Sequence, residues 1–160
     1  MPNAITTMAA KDVISAKLAA AYVNVGNERY LLFQAKSLEA TIEKEKDQVS
    51  ILGRTMKGNK SYSAKGSGKL TIYKNTNLFD DMILKLVNEG ADTYFDLQVI
   101  NDDPTSDAGR RSITLLNCNI DKTTIAAFDA EGKWLEDEID FTFEGVRRAE
   151  KFTELDGMKA

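Results

Sequence analysis

The chain has 160 residues, a formal net charge of −4 and 42% hydrophobic residues, which are ordinary values for one globular domain. The negative charge argues against a general DNA-binding module, and the lack of histidine removes the commonest general base and metal ligand. The single cysteine, Cys118, excludes an intrachain disulfide, and we expect neither a secretory signal nor a membrane-spanning segment.

The first part of the chain predicts an arm followed by a hairpin. Residues 1–12 lack a clear periodicity and are predicted to form a mobile N-terminal arm, with a single domain over residues 13–160. Ala21 to Val25 and Arg29 to Phe33 flank Gly26-Asn27-Glu28, a pattern typical of two strands joined by a short turn.

Charged side chains are sorted by parity over residues 38–48. One alternate set reads Glu39, Thr41, Glu43, Glu45 and Asp47. In a strand this set shares one face, where neighbouring carboxylates are about 7 Å apart and therefore need water around them. Local propensity leaves a helix open for the same residues, with Ser37 as its N-cap. The β-rich sequence that follows favours the strand.

A long loop rich in glycine and lysine is predicted over residues 53–68, before a strand around Leu70 and Ile72. No acidic residue occurs between Gln48 and Phe79, so this basic segment directly follows the acidic one. Surfaces of opposite charge on one chain can join its copies head to tail. A solvated loop beside a solvated edge strand explains the same residues without any partner.

One amphipathic helix is predicted between Asn77 as its N-cap and Gly90 at its end. Leu84 lies outside its apolar stripe and is free to face a neighbour. The stripe itself consists of Leu78, Phe79, Met82, Ile83, Leu86 and Val87.

Strands and turns fill the rest of the chain. Alternating residues predict strands around 95–99 and 139–143, and residues 111–128 are predicted to form two strands or one bent strand. Residues 102–109 are dense in turn formers. The predicted fold class is therefore mainly β with one main helix (α+β), arranged as a β-sandwich or barrel capped by the helix.

No catalytic, metal-binding or cofactor-binding residues are predicted. The segment from Gly53 to Ser61 is similar to a phosphate-binding loop, but Asn59 separates its second glycine from the lysine, and no helix follows. Turn chemistry, rather than calcium binding, explains Asp102, Asp103 and Asp107.

Two single residues have structural interpretations. Cys118 lies in a strand pattern with no histidine to activate it, so we expect a buried thiol rather than a nucleophile. Trp134 fits equally an interface anchor and a position in a small satellite core.

The order of the motifs resembles phage tail tube proteins, in particular the sub-family of contractile-tailed prophages and phage-tail-like bacteriocins of Gram-positive bacteria. Ala16 departs from that pattern, where a glycine is expected. The motifs span roughly residues 12–150 and are Ser37 to Lys44, Leu52-Gly53, Gly66-Ser67-Gly68 before Leu70 to Tyr73, Asp92 to Val99, Asn101 to Ser106 with Gly109, and Phe141-Thr142-Phe143.

The resemblance implies a structural subunit and not an enzyme. Subunits of this family form hexameric rings that stack into a hollow tube, with an inner β-barrel, helices outside and a contractile sheath around the tube. The implied partners are copies of the chain itself and the sheath, baseplate and tail terminator proteins, with DNA only as non-specific cargo. No cofactor and no membrane anchor are implied. We expect synthesis in the bacterial host cytoplasm and a final place in a virion tail or phage-tail-like particle.

Two surfaces receive roles from this resemblance. The acidic set Glu39, Thr41, Glu43, Glu45 and Asp47 is predicted to line the lumen, with the outer wall as the alternative. The contact between rings is predicted to use Arg54, Lys57, Lys60, Tyr62 and Lys65. A non-polymerising β-sandwich adaptor and a tube component of a secretion system stay open as alternative functions.

Overall fold

The computed structural model describes residues 5–159. They form a 3₁₀ turn at Ala10–Asp12 and the following elements: β1 Ala19–Val25, β2 Glu28–Leu31, β3 Ala35–Val49, β4 Gly58–Tyr73, α1 Leu78–Glu89, β5 Phe95–Asp102, β6 Arg110–Lys122, β7 Glu136–Phe143 and β8 Gly145–Glu150. The predicted class, mainly β with one helix, is confirmed. No helix within residues 5–159 has the length and apolarity needed to cross a bilayer.

The described residues group into two compact units. The first unit contains residues 5–33, 96–115 and 146–159, and the second contains residues 34–95 and 116–145. The extent of a single domain over 13–160 stays a prediction.

The first unit is built on the antiparallel strands β2, β1 and β5, in that order, with β8 paired to β6. Val25 pairs with Glu28 across a two-residue turn, and Gly26 has a φ of 58°, so the predicted hairpin is confirmed. Val23 and Leu97 are fully buried partners at its centre.

The turn over residues 103–109 holds the start of the chain. The buried carboxylate of Asp103 accepts hydrogen bonds from the backbone N–H groups of Ser15 and Thr105 and from the Thr105 hydroxyl. These bonds lower the pKa of Asp103, the Thr105 hydroxyl contributing most. Asp12 accepts the N–H of Asp107, so part of the predicted arm is docked on this turn; residues 1–4 lie outside the described residues.

The second unit is a sheet of antiparallel strands in the order β6, β7, β4, β3, with α1 on one side. Its core includes Leu70, Ile139 and Phe141, all at least 99% buried, and Cys118 is buried as predicted. The helix supplies Phe79, whose ring meets that of Phe95 edge-on at 6.2 Å between centroids.

The helix ends where the sequence predicts, with Gly90 in the left-handed region at φ 71° and its N–H bonded to the Leu86 carbonyl. Asn77 is the N-cap residue, but its side chain makes no capping bond; the Thr76 hydroxyl accepts the N–H of Leu78 instead. Only the first half of the predicted stripe is buried, through Phe79 and Met82.

A buried ion cluster ties the helix to the sheet. The ammonium of Lys74 contacts the carboxylates of Asp80 on α1 and of the fully buried Asp137 on β7. Asp137 also accepts hydrogen bonds from the Thr123 hydroxyl and the Thr124 N–H. Because Asp137 alternates with Glu138, the helix lies on the face opposite to Glu138.

One sequence prediction needs correction. Residues 58–68 are not a loop but the first part of β4, which is continuous to Tyr73. Of the two alternatives for residues 111–128, the single strand is observed: β6 ends at Lys122, and its register on β7 shifts between Ile120 and Lys122. Phe128 lies outside any strand.

Candidate functional site

One face of the second unit's sheet is polar throughout. Register pairs Glu39 with Lys69 and Glu43 with Lys65, and paired residues of neighbouring strands point to the same side. The strand favoured over residues 38–48 is therefore confirmed, the alternative helix is not formed, and the five-residue set does share one face. Its members Glu39, Thr41, Glu43 and Asp47 are exposed and Glu45 is half-buried.

The sequence suggested a purely acidic face, but in the structure the polar face also carries lysines. Lys65 and Lys69 lie on the middle strand β4, between the acidic residues of β3 and those of β7. Their ammonium groups approach Glu43 at 3.8 Å and Glu138 at 2.6 Å. The hydrogen bond between Lys69 and Glu138 raises the pKa of the lysine and lowers that of the carboxyl group.

The middle of the polar face is crowded with charge. Burial and the nearby charge of Asp140 raise the pKa of Asp121 above its ordinary value. The surface therefore carries a stripe of lysines flanked by two stripes of carboxylates, and it retains an acidic excess.

The opposite face is apolar and depends on two glycines. Gly66 pairs directly with Phe143 and Gly68 with Phe141. A Cβ atom on Gly68 would lie 2.4 Å from Cζ of Phe141, and one on Gly66 would lie 2.4 Å from Cε2 of Phe143. The two rings therefore occupy the space that any other residue on β4 would need, which is why these positions require glycine.

Strands β3 and β4 continue beyond the sheet as a two-stranded ribbon. β7 ends at Phe143, opposite Gly66, so residues 43–49 and 58–65 pair only with each other. The ribbon extends about 26 Å past β7 at 3.3 Å per residue. Tyr62 is the extra residue of a bulge between the pairs Glu45–Ser63 and Lys46–Ser61, and its side chain is exposed.

The turn at the end of the ribbon, residues 50–57, is apolar and basic; we name it the hairpin tip. Leu52 is fully exposed and Met56 is 80% exposed. Arg54 and Lys57 lie beside them and are also exposed. Of the five residues predicted for the contact between rings, these two are in the tip, whereas Lys60, Tyr62 and Lys65 are on β4.

A second apolar surface lies at the other end of the same sheet. Residues 125–135 are all exposed and precede β7; we name them the aromatic loop. Phe128 is 96% exposed and Trp134 is 67% exposed. Of the two interpretations of Trp134, the core position is therefore wrong.

Sequence reasoning missed the first part of β4, the ribbon and the aromatic loop, although it predicted a strand around Leu70 and Ile72. A signal for β4 was present, since apolar or small residues at 64, 66, 68, 70 and 72 alternate with polar ones at 65, 67, 69 and 71. The glycines favour a loop in a local pattern, because their partners are two phenylalanines more than 70 residues away along the chain.

Comparisons with known proteins agree on one family. Residues 6–150 match the family described as phage tail tube protein. The phage-like element PBSX protein XkdM of Bacillus subtilis (strain 168) is 40% identical over 119 residues, covering 74% of this chain and 81% of that protein.

Two solved assemblies contain chains of similar fold. A chain of the anti-feeding prophage baseplate superposes with a TM-score of 0.64 at 12% identity, over 90% of this chain and 97% of that one. A chain of the sheath–tube complex of the extracellular contractile injection system PVC gives a TM-score of 0.59 at 16% identity, over 80% and 86%. At such identities the likeness shows the fold alone.

Proposed function

We propose that this chain, which belongs to the phage tail tube protein family, assembles into hexameric rings that stack into the hollow tube of a contractile tail. The tube delivers DNA or punctures a cell envelope. Its partners are other copies of the chain and the sheath, baseplate and tail terminator proteins. A baseplate and a sheath–tube complex among the solved assemblies with chains of this fold support partners of this kind.

The division of the second unit's sheet into two faces carries this proposal. One face is charged and solvated, and the other holds the core and α1. A strand layer with these properties suits the wall of a water-filled barrel, with helices outside. β3 ends the strand order of this sheet, so pairing with a neighbouring subunit would also remove a 15-residue edge.

The polar face is proposed to line the lumen. Glu39, Glu43 and Asp47 give it an acidic excess that repels DNA phosphates, and Lys65 and Lys69 moderate the repulsion among the carboxylates. DNA is then cargo that slides without specific contacts, when the particle carries a genome. The role is structural and involves no catalysis.

The ribbon and its tip are proposed to connect one ring to the next. They are the part of the second unit that projects beyond its sheet, and Arg54, Lys57, Lys60, Tyr62 and Lys65 all lie on them. Synthesis in the host cytoplasm precedes assembly into the virion tail or tail-like particle.

Electron microscopy of the purified protein at increasing concentration tests the assembly. We expect rings and then tubes of uniform diameter. A protein that stays monomeric at every concentration would be a non-polymerising adaptor, and the proposal would be wrong. Replacing residues 50–57 with a short Asn-Gly turn is expected to leave rings but abolish long tubes.

Nuclease protection tests which face lines the bore. Tubes of the Glu43→Lys/Glu45→Lys variant are expected to retain short double-stranded DNA that a nuclease cannot reach, because the new lysines lie inside. The matched control, Asp81→Lys/Glu89→Lys, makes the same charge change on α1, and its bound DNA is expected to be digested. Equal digestion in both variants would place the acidic face on the outside.

A further inference from the structure

We infer that the aromatic loop is the receptor for the hairpin tip of another copy of this chain, so that Phe128 and Trp134 of one copy bind Leu52, Arg54 and Met56 of the next. The inference rests on the proposed function, and it names the partner surface that the contact between rings uses. The positions, shapes and charges of the two surfaces support this contact.

Position comes from the strand register. Tyr73 pairs with Glu136 at one end of the second unit's sheet, and Gly66 pairs with Phe143 towards the other. The aromatic loop directly precedes Glu136, whereas the tip lies beyond Phe143 at the far end of the ribbon. Gly58 to Tyr73 alone spans about 50 Å. The two surfaces therefore cannot meet within one copy, and any contact between them runs head to tail.

Shape comes from the surroundings of the loop. A depression of about 320 Å³ has an apolar side, formed by Ile125, Ala126, Ala127 and Leu135, and a polar side, formed by residues 74–77, Asp80 and Thr124. It is large enough for one leucine or methionine side chain. Side chains that insert into pockets at the centre of an interface supply most of its binding energy. Phe128 and Trp134 lie on the same loop as the lining residues Ile125 and Leu135.

Charge and side-chain chemistry are complementary. The tip carries Arg54 and Lys57 and no acidic residue, whereas the aromatic loop carries Asp129 and Glu131 against Lys133. A guanidinium group binds the face of an indole or phenyl ring, and a methionine sulfur also packs well against aromatic rings. The exposed aromatic residues of the aromatic loop are therefore chemically suited to bind the arginine and the methionine of the hairpin tip.

A head-to-tail contact also explains how a small patch suffices. Two or three apolar anchors on one subunit bind weakly. In a ring of six copies, the six contacts form together, and linked contacts strengthen one another without any new interaction.

Disulfide trapping provides the first test. The Leu52→Cys/Phe128→Cys variant, oxidised after assembly, is expected to give a ladder of covalent oligomers on a non-reducing gel, since its two cysteines are too far apart to pair within one chain. The matched control, Leu52→Cys/Val87→Cys, places the second thiol at another exposed apolar position of the second unit and is expected to stay monomeric. The buried Cys118 is common to both.

Fluorescence provides the second test, because Trp134 is the sole tryptophan of the sequence. Its emission is expected to shift to shorter wavelength when wild-type rings stack. The Arg54→Glu/Lys57→Glu variant is expected to lose this shift, whereas Lys17→Glu/Lys85→Glu, with the same charge change at exposed positions outside the ribbon and the aromatic loop, retains it.

The outcomes separate this inference from the proposed function. The inference would be overturned if the wild type forms tubes but the Leu52→Cys/Phe128→Cys variant gives no ladder, or if the Leu52→Cys/Val87→Cys control gives an equal ladder. In either case the tube function would still stand. The same holds if Trp134 stays exposed in bare tubes and is shielded only after sheath protein is added. Failure of the wild type to form rings or tubes would overturn both.

Discussion

The requirement for glycine at position 68 can be tested by a double-mutant cycle. In Gly68→Ala the new Cβ would lie 2.4 Å from Cζ of Phe141 and 2.9 Å from its two Cε atoms, whereas ordinary contacts begin at 3.4 Å. Either the ring or the strand must therefore move by about 1 Å. Phe141 is 1% exposed, so the ring has no space to enter. Overpacking of this kind costs about 1–3 kcal/mol in the free energy of unfolding.

The second arm of the cycle removes the ring atoms that cause the clash. Phe141→Leu lacks Cζ and both Cε atoms, and it costs about 1–2 kcal/mol by itself through lost packing. In that background Gly68→Ala is expected to be neutral or to stabilise by about 0.4–1 kcal/mol, because alanine restricts the unfolded chain. The predicted coupling between the two positions is therefore about 1–4 kcal/mol.

Urea unfolding of the unassembled protein at low concentration measures each term. Ser67→Ala, whose side chain points to the solvated face, is the matched control and should stay within about 0.5 kcal/mol of the wild type. If Gly68→Ala costs the same with and without the Phe141 ring, the steric explanation fails, and a backbone requirement at position 68 would take its place.

Three further predictions concern other parts of the chain. Gly90→Ala is expected to cost about 1 kcal/mol in urea unfolding, because the helix ends there in a left-handed conformation at φ 71°; an unchanged midpoint would contradict this. Burial alone would raise the pKa of Asp137, but hydrogen bonds from Thr123, Thr124 and Lys74 outweigh it and hold the pKa below its ordinary value. Its stabilisation is thus complete above about pH 5 and is lost as the pH falls through the lowered pKa, so Asp137→Asn should flatten the acid side of a stability–pH curve and cost about 3 kcal/mol at pH 7. Asp103→Ala should speed hydrogen exchange at the Ser15 and Thr105 amides and leave that of the Gly90 amide, which bonds to Leu86, unchanged.

Much of the fold follows from local patterns in the sequence. The helix from Leu78 to Glu89 has a period of 3.6, a cap and a glycine stop within one short window. β7 and the first hairpin show strict alternation or a short glycine turn. These elements were predictable because each residue's environment is determined by neighbours a few positions away.

The candidate site was only half predictable. Parity along β3 correctly groups Glu39 to Asp47 on one face, because alternation is a property of a single strand. The lysines that face those carboxylates come from β4. Which strand pairs with which is determined by tertiary contacts, and a local sequence pattern does not show these contacts. Gly66 and Gly68 misled for the same reason, since their meaning depends on the phenyl rings of β7.

The high charge of β3 limits which strands can pair with its exposed edge. As the last strand of its sheet it exposes a row of backbone N–H and C=O groups over 15 residues, which invites pairing with any extended chain. Both faces of its outer half are charged, with Glu43, Glu45 and Asp47 on one side and Lys44 and Lys46 on the other. Pairing with a random apolar strand would desolvate these groups without partners. Only a neighbour that offers opposite charges in the correct register compensates for that cost. The residues that disfavour pairing with unrelated strands therefore favour, in the proposed ring, a copy of the chain as the partner of β3.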